Sequence, residues 1–150
     1  MPLDDVEDFE AAARNLRIKL RIDDQLRPDM TTVIIKLKDL GLINDYVRIP
    51  DDEMPTDEAY FDSEKRLLCL RESTFCAASA MFTYSESQRR RARYTIAHEI
   101  GYIAFGHDGI RYRGKTSHLS KELVAKIRRQ EREAERFAAA FLAPQHLAGI

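Results

Sequence analysis

From Ser85 to Gly106 the chain is written as one helix, and that helix carries a partly kept metal motif. Ser85 with Gln88 three positions later forms a capping box, in which each side chain satisfies a backbone amide of the other's residue. Ala92, Ile96, Ile100 and Ile103 then recur as one buried row, and Gly106 can take the left-handed conformation that ends a helix. Inside this frame stands Thr95-Ile96-Ala97-His98-Glu99-Ile100-Gly101-Tyr102. In a His-Glu-x-x-His helix the two imidazoles, four residues apart, point from one face at one metal, and the glutamate deprotonates the metal-bound water. His98 and Glu99 fill the first two places, and Tyr102 stands where the second histidine belongs.

The remainder of the chain predicts an α+β fold. Phe9, Ala13, Leu16 and Leu20, with Val6 before them, recur at three- and four-residue steps, which predicts an amphipathic helix from about 5 to 22. Pro28 and Asp29 start a second helix over about 30 to 40, Val33, Ile34, Leu37 and Leu40 form its buried stripe, and Gly41 ends it. Leu42 to Ile49 reads as a strand stopped by Pro50, and the acidic run from Asp51 to Glu58 reads as a solvated loop. Ala59 to Phe61 and Leu67 to Leu70 flank the polar turn Asp62-Ser63-Glu64-Lys65, a hairpin signature. Thr74 to Tyr84 is apolar without a clean period and fits a loop or a short helix packed on the site. A last helix is predicted from about Ser120 to Leu142, with Pro144 just beyond its end. The expectation is about four helices around a small, mostly antiparallel sheet, with the cleft between the motif helices (about 86–105 and 120–142) as the functional site.

On the last helix Ile127, Ala134, Ala138 and Phe141 share a face, and Glu131 lies on it. A carboxylate facing a core is costly unless it is paired or holds a metal, which singles out Glu131, with Glu133 at the edge of the stripe as the fallback, for the glutamate ligand that the family resemblance given next implies. The competing reading pairs Glu131 with an arginine of the motif helix. Tyr102 could ligate only as a phenolate, from an unperturbed pKa near about 10. His107, one turn after the helix, is a further candidate as an alternative ligand or as a structural partner behind the ligands. His118 and His146 are assigned no role.

These residues resemble the ImmA/IrrE family of bacterial metallopeptidases. The resemblance rests on Thr95 to Gly101, on Gly106-His107, and on the run Glu131-Arg132-Glu133-Ala134-Glu135-Arg136-Phe137-Ala138-Ala139-Ala140-Phe141 leading to Pro144, and it extends from about residue 30 to Pro144. It implies a zincin-like fold in which zinc is held by two histidines and one glutamate. Transferred to this chain, that set is His98, the substituted position 102 and Glu131, with Glu99 as the catalytic base. It also implies cleavage of a partner helix-turn-helix repressor. Tyr102 is the main departure; with two remaining protein ligands, zinc would be weakly bound or absent. The reading is therefore a zinc endopeptidase weakened or inactivated at position 102. The alternative is a regulator that grips a repressor or other protein without cutting it.

Composition narrows the classes. The 150 residues, 44% hydrophobic and 33% charged, suit one globular domain over residues 1–150. No apolar run reaches the roughly eighteen residues of a membrane span, and no basic-then-apolar start marks a secretory signal, so a cytoplasmic protein without membrane contact is expected. Cys69 and Cys76 lack a Cys-x-x-Cys spacing and read as free, buried thiols in a reducing compartment. A formal net charge of -1 provides no general attraction for nucleic acid. Arg89-Arg90-Arg91-Ala92-Arg93 reads as a solvated helix face, with phosphate or an acidic partner as the alternative contact.

Overall fold

The amino-terminal helix α1 (Val6–Lys19) buries Phe9, Ala13 and Leu16 as its spacing predicts, and Leu20 just after it continues the row. The computed structural model describes residues 6–79, 83–106 and 120–147. Within them α1 stops short of the predicted end, because Arg21 turns to φ 58° and the Ile22 amide returns to the Arg17 carbonyl. The buried face also holds Arg17, which is fully enclosed. Its guanidinium donates to the carbonyls of Phe141 at 2.8 Å, Ile22 at 3.0 Å and Gln25, tying α1 to the far end of the last helix. Burial lowers the Arg17 pKa, and the charges of Asp23 and Asp24 oppose that shift.

Helix α2 (Met30–Asp39) starts where Asp29 accepts from the Thr31 amide at 3.0 Å, and it buries Met30, Val33, Ile34 and Leu37. Gly41, at φ 74°, carries the chain out of it while the Leu42 amide caps the Leu37 carbonyl. Those capping bonds are why strand β1 is Asp45–Ile49 rather than beginning at Leu42. Strands β2 (Ala59–Asp62) and β3 (Leu67–Arg71) form the predicted hairpin, with Asp62 Oδ1 accepting from the amides of Glu64 and Lys65 in the turn.

The sheet order is β1-β3-β2. β2 pairs antiparallel with β3, but β1 pairs parallel with it, Asp45 opposite Leu67 through Ile49 opposite Arg71. The sheet is thus mixed rather than mostly antiparallel. β1 reaches β3 by a crossover through the acidic loop and β2, a connection long enough for parallel pairing. That loop is not simply solvated: it includes a 3-10 turn at Asp51–Glu53, and Arg71 donates to the Met54 carbonyl at 2.9 Å and the Pro55 carbonyl at 2.7 Å.

The first part of the apolar stretch without a clean period belongs to α3 (Glu72–Ala78), a fifth helix among the described residues, which follows β3 directly and buries Thr74 to Ala78; residues 80–82 of the stretch lie outside the described residues. Its near-complete enclosure is why it shows no amphipathic period. Helix α4 (Glu86–Ala104) begins at Ser85 with both halves of the capping box formed, and Gly106 at φ 61° follows its end. Helix α5 (Lys121–Leu142) starts where Ser120 accepts from the Leu123 amide, and it buries Ala134, Phe137, Ala138 and Phe141. α4 and α5 form the most extensive helix pair. Phe105 meets Phe137 edge-on with centroids 5.6 Å apart, and Phe9 of α1 meets Phe105 in the same manner at 5.8 Å.

Candidate metal centre

His98 on α4 and Glu131 on α5 face one another with Nε2 and Oε1 3.0 Å apart. Nε2 is shielded from solvent and has no hydrogen-bond partner, although that carboxylate oxygen is 3.0 Å away. The imidazole is held between two phenols: Tyr94 stacks on it at 6.3 Å, and Tyr102 meets it edge-on at 5.2 Å. On the other ring edge, Nδ1 lies 3.4 Å from Glu99 Oε2, and Glu99 is only 2% exposed. The Tyr102 hydroxyl donates to Glu131 Oε2, the carboxylate oxygen not turned toward His98.

These groups suit a divalent cation. Bonds of about 2.0–2.1 Å in tetrahedral array put neighbouring ligand atoms about 3.3 Å apart, close to the separation found here, and a lone pair without a hydrogen-bond partner is what coordination needs. Glu135 joins the group: His98, Glu131 and Glu135 each offer a ligand atom, all within 4.8 Å of one another. Without an ion, Tyr102 is held as a neutral phenol that donates to Glu131. Burial first, then the hydrogen bond to Glu131 and the charges of Glu131 and Glu135, push its pKa well above the ordinary tyrosine range. Tyr94 is raised too, again chiefly by burial, with Glu135 and Glu131 adding to it.

The structure thus brings together His98, Glu99, Tyr102 and Glu131 of the residues expected from the sequence. Glu133 is elsewhere, 3.8 Å from Arg129 on its own helix. His107 and His118 lie outside the described residues. Glu135 was not anticipated, although its place four residues after Glu131 puts it on the same helix face. His146, given no role from the sequence, lies 3.0 Å from Asp23 Oδ1, away from the centre.

A cleft of roughly 690 Å³ opens over these groups, walled by Ala59 of β2, Tyr94, Ile127 and Glu135. Glu58 at its rim accepts from Thr95 Oγ1 at 3.1 Å and pairs with Arg91 at 2.7 Å. The basic run of α4 is largely a solvated face, with Arg90 and Arg91 three-quarters exposed and Arg90 3.6 Å from Glu86, while Arg93 turns inward and donates to the Pro28 carbonyl at 2.6 Å. Two partners of Glu131 from this helix are His98 and Tyr102.

A His-Glu helix packed against a glutamate-bearing helix, beside a small sheet whose edge strand borders the cleft, is the layout of a metallopeptidase-like, zincin-type α+β domain. A comparison with family models gives the same result: the model described as the IrrE N-terminal-like domain, a peptidase family, matches residues 45–148. The chain belongs to that family. The match takes in everything from β1 through α5 and leaves α1 and α2 outside. No curated protein matches the chain, and neither does any solved structure. Among the described residues, no helix is long and apolar enough to cross a membrane.

Proposed function

We propose that this chain is a divalent-metal-dependent endopeptidase acting on a protein substrate, slower than a His-Glu-x-x-His enzyme because Tyr102 replaces an imidazole. The observation that carries this reading is the 3.0 Å approach of His98 Nε2 to Glu131 Oε1, with the nitrogen left without a hydrogen bond. His98 and Glu131 would hold the metal, zinc by family precedent. When bound, the ion would polarise a peptide carbonyl and lower the pKa of water. Glu99, adjacent in sequence and enclosed, is the base that takes the proton and returns it to the leaving amine. β2 is an edge strand of the described sheet and Ala59 lines the cleft, which suits an extended substrate segment lying between β2 and α4. The family resemblance makes a helix-turn-helix repressor the proposed substrate, in a bacterial cytoplasm. The same reading takes the chain as one domain, since α1 packs along α5 although the family match does not include it.

A second reading is favoured by one contact, the Tyr102 hydroxyl on Glu131 in place of an imidazole on a metal. Here the protein would bind its partner without cutting it. Metal content by mass spectrometry, on protein purified without added zinc or chelator, separates the two when the parent is compared with Tyr102→His. Metal in both, with slow peptide cleavage by the parent that Glu99→Gln abolishes, supports the endopeptidase. Metal in Tyr102→His alone decides for the binder, and metal in neither overturns the metal reading.

A further inference from the structure

We propose that Glu135 is a metal ligand, completing with His98 and Glu131 a site of one imidazole and two carboxylates for a divalent cation. This rests on the metal reading above and supplies the donor that position 102 lacks. Three observations carry it. Glu135 follows Glu131 by four residues on α5, so both side chains rise from one helix face toward α4. Its carboxylate comes within 4.8 Å of ligand atoms of both His98 and Glu131, and it also lines the cleft. The third is the shielded His98 Nε2, pointed at the group without a hydrogen bond of its own. Two carboxylates this close repel unless a proton or a cation lies between them. A divalent ion relieves that repulsion and uses the nitrogen lone pair at the same time.

Tyr102 then has a different part from the histidine it stands for. Its hydroxyl occupies Glu131 Oε2, leaving Oε1 turned to His98, so Tyr102 is a positioning residue that orients a ligand. The donor set is also harder than two imidazoles and a carboxylate. Oxygen donors suit manganese and magnesium, and nitrogen donors favour zinc, so the preference for zinc over manganese should be narrower here than in a two-histidine site.

The test measures zinc and manganese affinity, by competition with a chromophoric chelator, in the full chain, in Glu135→Gln, in Tyr102→His and in the double variant. Glu135 is exposed, and circular dichroism checks that the fold is kept in each. Expected is a loss of zinc affinity of at least about tenfold in Glu135→Gln, a loss that removal of even an outer partner of a ligand can cause. Tyr102→His should be insensitive to the same change, since its third donor comes from position 102. Equal affinity in the full chain and Glu135→Gln overturns the role of Glu135 and leaves His98 and Glu131 as ligands. So does zinc bound by Tyr102→His but not by the full chain. Zinc bound by none of the four overturns the underlying metal reading as well.

Discussion

A Cβ placed on Gly101 would stand 3.0 Å from the Cα of Ala134 and 3.1 Å from its carbonyl oxygen. Gly101 lies three residues after His98 and Ala134 three after Glu131, so the contact that lets α4 and α5 approach also fixes the spacing across the candidate site. Gly101→Ala recovers up to about 1 kcal/mol of helix propensity. Against this, overpacking a tight backbone contact costs about 1–3 kcal/mol. The expected outcome is net destabilisation, larger for Gly101→Val, together with weaker metal retention. Urea unfolding midpoints measure the first; a midpoint that rises in Gly101→Ala would show that the helices separate at no cost and do not set the site.

Much of this arrangement was readable in the sequence because the signals were local. The capping box at Ser85 and the rows on α1 and α4 follow from spacing along one helix, whereas Glu131, expected to face the core, has a side chain 47% exposed. What escaped depends on contacts between distant segments. The parallel register of β1 with β3 is set by tertiary pairing, since nothing in Asp45–Ile49 specifies a direction. The burial of Arg17 has no mark in the local sequence, and only the arrival of three carbonyls makes it tolerable. Glu135 was overlooked because α5 is rich in glutamate, and only the position of His98 on α4 singles out two of them.

Tyr102→Phe removes the hydroxyl from Glu131 while keeping the ring against His98. With the hydroxyl orienting a ligand, metal affinity is expected to fall about 10–100-fold with the fold intact. Tyr102→His should move affinity the opposite way. Titration with zinc checks both, and an unchanged affinity in Tyr102→Phe would remove Tyr102 from the support of the site.

Arg17→Met keeps the length of the side chain and deletes the donors to Phe141, Ile22 and Gln25. Charged hydrogen bonds contribute about 1.5–3 kcal/mol each, and carbonyls left unsatisfied in the core add to the loss. A destabilisation of about 3 kcal/mol or more is expected, read from chemical denaturation. A variant as stable as the parent would mean that the three carbonyls find water at little cost.

Arg48 holds Glu72 through a two-point contact, with Nε to Oε2 at 2.9 Å and the second guanidinium nitrogen on Oε1. That hydrogen bonding is the chief cause lowering the Glu72 pKa from its ordinary 4.5, against a smaller opposing effect of burial. A depressed carboxylate stabilises the fold at pH values above its unfolded pKa. The contribution is lost as pH falls through the lower folded value. Both side chains are about two-fifths exposed, at 41% and 43%, so solvent screening limits the pair to less than about 1 kcal/mol. Glu72→Gln should therefore be slightly less stable than the parent at pH 7, and the difference should shrink toward zero well below pH 4.5, where the parent's carboxyl is also neutral. Paired denaturation curves at the two pH values measure this. A gap that stays constant across them would assign the loss to packing rather than to the charge.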